Sequence, residues 1–226
     1  MHAYEQLFDW HQIPVAQALL TRADFDNRSG YLNVRNTIMS LLELGVIPII
    51  NENDVTASDE LTGAVFGDND SMSALLANLV DADLLVLLGQ IKGLYTADPH
   101  LDPMATLVPT VELFDDRIEM MGGGTWDGQG QGGMVTKLDA ARLATSSGVD
   151  VVIASGTENG VLTRLVEGER IGTFFPASAT KMESRKRWML SRLKQGNKLI
   201  IDEGARQALV NSNGSLLPAG VVKVMG

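Results

Sequence analysis

Apolar and polar positions along this chain follow two periodicities. Four short runs are almost continuously apolar: Ile13–Leu20, Val46–Ile50, Leu84–Leu88 and Val149–Ala154. Runs of this length, rich in branched aliphatic residues, predict buried strands. Between them the apolar spacing changes to three and four residues. Val34, Ile38, Leu41 and Leu42 share one helical face, and Met72, Leu75, Leu76 and Leu79 share another. Apolar strands alternating with amphipathic helices predict an α/β fold, with a mostly parallel sheet sandwiched by helices. In such sheets ligands sit beyond the carboxyl ends of the strands. Three segments fall there: NENDVT from Asn51, GQIKGLYTADP from Gly89 and SGTENG from Ser155.

The pattern changes near Ala177. From Lys181 to Lys198 there are seven Lys or Arg and one Glu, which predicts a domain boundary. The tail from Lys198 reads as a strand, a short helix and a strand, too short to bury a core of its own. No internal repeat is visible.

Composition narrows the function classes. The chain has 226 residues, 45% of them apolar, enough for one sizeable core. It has no cysteine, so disulfides and thiolate sites are excluded, and a reducing, cytoplasmic setting is expected. No apolar run approaches the ~18 residues of a membrane helix, and the first residues, MHAYEQLFDW, do not read as a signal peptide. The net charge of -10 argues against a broad nucleic-acid surface, although backbone N–H groups and one or two lysines can still hold a phosphate.

The most conspicuous local motif is GQGQGGMVTK, Gly128 to Lys137. Gly128, Gly130 and Gly133 satisfy G-x-G-x-x-G, but the preceding MMGGGTWD is not a strand, as a dinucleotide fold requires. Lys137 is not adjacent to the last glycine, so this is not a Walker loop either. The motif reads as a glycine loop running into a helix near Met134, with free N–H groups at the helix start and Lys137 one turn in. An anion cradle and a plain surface loop with a solvated lysine are both compatible with it.

The second candidate is GDND, at the start of the Met72–Leu79 helix. Helix capping accounts for one of Asp68, Asn69 and Asp70. Together with Asn51 and Asp54, the three are expected to converge at one end of the sheet. Such a cluster suits an ammonium group, or a divalent cation through oxygen ligands. Arg22 reads best as a structural salt-bridge partner. Tyr95 and Asp98 belong either to a base-binding slot or to a packed loop. His2, His11 and His100 lack metal or triad spacing and read as surface residues.

Taken in order, several blocks carry a family resemblance: LLTRADFDNRSGYLNVRNT from Leu19, PIINEND from Pro48, FGDNDSMSALLANLVDADLLVLL from Phe66, KGLYTADP from Lys92, GGMVTKLDAA from Gly132 and VVIASG from Val151. The chain resembles the glutamate 5-kinases of the amino acid kinase superfamily. The stretch from SRKRW through DEGA to SLLPAGV resembles the linker and the start of the PUA domain of those enzymes. The resemblance divides the chain into an amino acid kinase domain over 1–176, a basic linker over 177–194 and the beginning of a PUA-like domain over 195–226.

The resemblance implies ATP-dependent phosphorylation of the γ-carboxylate of L-glutamate to L-glutamyl 5-phosphate, the first step of proline synthesis. ATP is then the co-substrate, with Mg2+. Asp54 and Asn69 match glutamate-binding positions, in a substrate site with Asn51 and Asp68. Asp70 matches an acidic residue that organises catalytic lysines, and Lys137 matches one of those lysines. Gly132, Gly133, Met134, Val135, Thr136 and Lys137 match the nucleotide-phosphate loop, to which Gly89, Gln90 and Gln131 contribute. It further implies a homo-oligomer and proline as a feedback inhibitor.

The chain also departs from the family pattern. The family's opening strand, glycine turn and first phosphate-contacting lysine, and the SSGA-type loop after them, have no counterpart here; the expectation is an exposed sheet edge and a site short of one wall. The family's Thr-Asp after the central strand is here Gly89-Gln90, and the usual Thr before GGM is Gln131. The alternative reading is a non-catalytic amino-acid-binding or regulatory remnant of such a kinase. A dinucleotide-dependent oxidoreductase and an RNA-binding role for the tail are weaker alternatives.

Overall fold

The computed structural model describes residues 1–26, 28–53, 68–123, 133–180, 198–211 and 216–225. The chain separates into two compact units, Met1–Ser184 and Arg185–Gly226. The first unit holds α1 (His2–Asp9), β1 (Val15–Leu20), α2 (Arg22–Asp26), α3 (Arg28–Glu43), β2 (Ile47–Glu52), α4 (Asn69–Leu79), β3 (Leu84–Gly89), α5 (Asp116–Met121), α6 (Met134–Ser146), β4 (Asp150–Ser155), α7 (Val161–Val166) and β5 (Thr173–Phe175).

The four apolar runs form strands, each within two residues of its expected ends. β1 pairs with β2 in parallel, Val15 opposite Ile47 through Leu20 opposite Glu52. β3 pairs with β4 in parallel, Leu84 opposite Asp150 through Gly89 opposite Ser155. β5 adds to β4 antiparallel, Val151 opposite Phe175. The described strands of the first unit therefore form a pair and a triplet, with parallel pairing predominant. The expected cover on both faces is incomplete among the described residues. Leu19, Leu84 and Leu88 are large apolar strand residues that stay exposed.

Two clusters form most of the core, and α4 serves both. On one side Met72 and Leu79 pack with Leu20, Phe25, Val34 and Ile38. On the other, Ala74 and Ala77 join Ala140, Ala141 and Ala144 of α6, with Leu87, Val151, Ile153 and Phe175. Small residues on facing helices let the backbones approach, so α4 and α6 lie against each other over β3 and β4. The face expected on α4 (Met72, Leu75, Leu76, Leu79) is the one turned toward α3; the alanine face lies opposite and carries no apolar periodicity of its own. On α3, Val34 and Ile38 are buried but Leu42 is exposed. At 100° per residue Leu42 lies roughly 80° around the helix from Val34, at the rim of the apolar stripe. Arg35 ties α3 to the end of α4, donating to the Leu79 carbonyl and pairing with Asp81 at 2.8 Å.

The second unit pairs β6 (Lys198–Ile201) antiparallel with β7 (Val221–Met225), across a bulge at Ile200/Ile201. Between them lie α8 (Glu203–Asn211) and a 3₁₀ turn, Pro218–Gly220. Asp202 starts α8, its carboxylate accepting from the Ala205 amide at 2.7 Å. Among the described residues no helix is long and apolar enough to cross a membrane.

Candidate functional site

Two helices begin at the carboxyl end of β3, and the polar residues that sequence reasoning singled out sit at those starts. Asp68 is the N-cap of α4; its side chain accepts from the Ser71 amide at 2.6 Å and from the Ser71 hydroxyl at 3.2 Å. Capping thus consumes Asp68, as it is expected to consume one of the three. Asp70, two residues on, faces α6 instead. Its Oδ1 and Oδ2 accept from Lys137 Nζ at 3.0 and 2.9 Å, and Oδ2 also accepts from the Thr136 hydroxyl at 2.9 Å. The two partners lie 66 and 67 residues away in sequence and arrive only because α6 packs on α4.

Lys137 sits one turn into α6, which Gly133 begins with φ +103°, in the left-handed region that glycine favours. Its side chain is 15% exposed and that of Asp70 18%, so the pair is largely withdrawn from water. The lysine stem reaches Asp70 by crossing the end of β3. A Cβ on Gly89 would stand 3.1 Å from Lys137 Cε, closer than ordinary contact, so Gly89 leaves the path open.

Beside this cluster is a cavity of about 680 Å³. Met134 of α6 and Ile91, just after β3, connect the two regions; Tyr95, Asp98, Arg117 and Met121 line the far part. The loop reading of KGLYTADP and its alternative as a slot meet here, since Tyr95 and Asp98 both pack as loop residues and face the cavity. His2, His11 and His100 are all exposed, as expected, His100 at the edge of this cavity.

Next to β3 the β4 end is tied to the same loop. The Gly156 amide donates to the Gly89 carbonyl at 2.8 Å, and the Ser155 hydroxyl lies 3.3 Å from the Gln90 carbonyl and 2.8 Å from the Thr157 hydroxyl. Glu158 accepts from Lys92 at 3.5 Å and from Arg164 at 3.4 Å. Arg164 also forks onto Glu169. The hydrogen bond from Arg164 holds the Glu169 carboxyl below its ordinary range, and the same bond raises the guanidinium further.

The structure thus brings Asp70, Thr136, Lys137 and Gly89 together, with Met134 at the cavity. Asn51, the penultimate residue of β2, is exposed, and among the described residues no hydrogen bond joins it to Asp68 or Asn69. Asp54, Gln131 and Gly132, with Gly128 and Gly130, lie outside the described residues. Arg22 is exposed at the start of α2, and among the described residues no ion pair involves it. Sequence reasoning did not single out Arg117, Met121 or Thr173. Their types are common and their positions carry no local motif, so only the folded contacts mark them.

Comparison with known proteins places this geometry. Residues 1–155 match the family model described as the amino acid kinase family. The chain is 51% identical over 226 residues to glutamate 5-kinase of Dehalococcoides mccartyi (strain CBDB1), covering 100% of this chain and 61% of that protein. It is also 51% identical to glutamate 5-kinase of Herpetosiphon aurantiacus, covering 60% of that protein. The chain therefore spans about three fifths of the length of these curated relatives. Among solved structures, UMP kinase from Ureaplasma parvum aligns with a TM-score of 0.51 at 14% identity, over 77% of this chain and 65% of that one, a likeness of fold. With the family model covering most of the first unit and the parallel α/β arrangement matching it, the chain belongs to the amino acid kinase family.

Proposed function

We propose that the chain forms part of an ATP-dependent glutamate 5-kinase. A γ-carboxylate oxygen of L-glutamate attacks the γ-phosphorus of ATP. The new P–O bond gives L-glutamyl 5-phosphate, the bond to the β,γ-bridging oxygen breaks, and ADP departs. The attacking carboxylate is already ionised near neutral pH, so no strong general base is required. What a protein must supply is in-line placement and neutralisation of charge on the phosphoryl oxygens.

The Asp70–Thr136–Lys137 cluster carries this reading. An ammonium has three donors; two of the Lys137 contacts go to Asp70, which fixes the ammonium while leaving it a donor for a phosphate oxygen. Asp70 thus acts as the positioning group and Lys137 as the charge stabiliser. In this reading Gly89, Gln90, Gln131 and the loop Gly132–Thr136 approach the nucleotide, and the 680 Å³ cavity receives its base against Tyr95 and Met121. Asn51, Asp54 and Asn69 hold the amino acid, with Asp68 supporting the α4 start. Mg2+ enters with ATP. Among the described residues no group of three or more His, Asp or Glu is placed to hold a metal, and the Asp70 oxygens are taken by Lys137 and Thr136, so no step is assigned to a protein-held ion.

The same reading extends to a cytoplasmic setting, a homo-oligomer, proline as a feedback inhibitor, and residues 195–226 as the beginning of a PUA-like domain after the basic linker over 177–194. The test is glutamate-dependent ADP release by a protein carrying this chain at the length of its curated relatives. Release that requires glutamate and is lost in Lys137→Met is expected; no glutamate-dependent release overturns the proposal. The substitutions at Gly89 and Gln90 favour a second reading, a non-catalytic amino-acid-binding remnant. Calorimetry separates the two: heat with glutamate or proline, but no ADP release, supports the second.

A further inference from the structure

The 680 Å³ cavity owes half of its lining to one loop, residues 94–100. That loop leaves β3, runs outward and returns alongside itself. The Val108 amide donates to the Leu94 carbonyl at 2.8 Å, the Thr96 amide to the Thr106 carbonyl at 2.9 Å, and Tyr95 bridges Leu107. These bonds close the loop on itself but do not fix it to the sheet. The fixation comes from β5: just beyond the return arm the Phe174 amide donates to the Pro109 carbonyl at 3.0 Å and the Phe174 carbonyl accepts from the Val111 amide at 2.9 Å, and the Thr173 side chain acts at the base of the loop itself. The Thr173 hydroxyl, fully buried, accepts from the Leu94 amide at 2.8 Å and donates to the Val108 carbonyl at 2.7 Å. One side-chain oxygen therefore satisfies one polar group on each arm of the loop, at its base.

The fit is close on the opposite side as well. A Cβ on Gly93 would stand 2.6 Å from the Thr173 oxygen and 3.0 Å from its backbone nitrogen. Gly93 thus lets the loop descend onto β5 far enough for both hydrogen bonds to form. Leu94, fully buried in the main core, secures the same point from the apolar side. A second hydroxyl, Ser155 at the end of β4, contacts the Gln90 carbonyl where the chain leaves β3.

We propose that Thr173 is a positioning residue for the ligand cavity: its hydroxyl pins both arms of the 94–108 loop to β5 and so sets where Tyr95 and Asp98 stand against a bound nucleotide. The ligand class rests on the kinase reading above; the pinning does not. Valine has the shape of threonine without its hydroxyl, so Thr173→Val leaves the Leu94 amide and the Val108 carbonyl buried without their partner. Serine retains the hydroxyl.

The experiment measures residue-resolved amide exchange and ATP binding in a protein carrying this chain at the length of its curated relatives, for wild type, Thr173→Val, Thr173→Ser and Gly93→Ala. The last drives a methyl group against the hydroxyl and perturbs the same contact without removing it. In Thr173→Val, exchange across residues 94–108 is expected to rise about ten-fold, with the β4 amides of residues 151–153 unchanged. ATP affinity is expected to fall by about the same factor, and Thr173→Ser to stay within about two-fold of wild type. Gly93→Ala is expected to show the loop-confined pattern, which keeps the test decisive should Thr173→Val not fold. Unchanged loop exchange, equal acceleration of the β4 amides, or failure of serine to rescue overturns the proposal. Loop-confined acceleration in Thr173→Val, together with no ATP binding by the wild-type protein, overturns the nucleotide reading and leaves the pinning standing.

Discussion

If Asp70 holds Lys137, the two must be energetically coupled, and a double-mutant cycle measures that coupling. The variants are Asp70→Asn, Lys137→Met and both together. At 2.9 Å and an effective dielectric of ~20, the direct attraction is about 6 kcal/mol. Withdrawal of both groups from water offsets most of it. Exposed pairs retain about 0–1 kcal/mol and fully buried ones cost about 3–5 kcal/mol to break; side chains 15% and 18% exposed lie between, so a coupling of about 1–2 kcal/mol is expected. The single variant Asp70→Asn loses more than that, because a carboxylate in the first turn of α4 also favours the helix dipole by about 0.3–1 kcal/mol. The cycle cancels this extra effect, since it is present whether or not Lys137 is charged. The readout is thermal unfolding followed by circular dichroism, where about 1–2 kcal/mol corresponds to roughly 3–6 °C for a unit of this size. Additivity of the two single variants within about 0.3 kcal/mol refutes the view that Asp70 organises the lysine.

Three further outcomes follow from the same contacts. Gly89→Thr places a side chain 3.1 Å from Lys137 Cε; displacing the lysine is expected to reduce the Asp70–Lys137 coupling by about half, roughly 0.5–1 kcal/mol in the same cycle, and an unchanged coupling counts against the crossing over Gly89. Phe175→Ala opens the fully buried core beneath the Phe114 ring, 5.5 Å away; a loss of about 3–5 kcal/mol is expected by chemical denaturation, and a loss under about 1 kcal/mol contradicts the packing described. Glu169 titrates below its ordinary range because Arg164 donates to it. A depressed folded-state value means a contribution present above the unfolded-state pKa and lost as pH falls through the folded-state one. Arg164→Gln is therefore expected to raise the Glu169 titration midpoint in carboxyl NMR and to weaken the acid dependence of stability; an unmoved midpoint refutes the attribution.

Local signals carried some parts of the molecule fully. Strands β1 to β4 were legible because a buried parallel strand must be apolar on both faces, which shows as a run. The α4 start was legible because capping needs an Asp or Asn at the first unpaired amides, and Asp68 fills that role. The glycine run before α6 identified a helix start, and the order of the motif blocks identified the family resemblance. The alanines joining α4 to α6 were not legible. Alanine contributes little to an apolar pattern, and its value here is closeness between two helices far apart in sequence.

Local pattern was enough for strands β1 to β4, the apolar faces of α3 and α4, and the starts of α4 and α6, because backbone satisfaction and burial act over a few neighbours; α1, α2, α5, α7 and β5 carried no such signal. Only the tertiary structure decided that Asp70 and not Asp68 meets Lys137, that Lys137 crosses Gly89 to do so, and that Thr173 holds a loop 79 residues before it. Those pairings depend on two helices approaching over a sheet, and closeness of that kind leaves no periodicity in the chain.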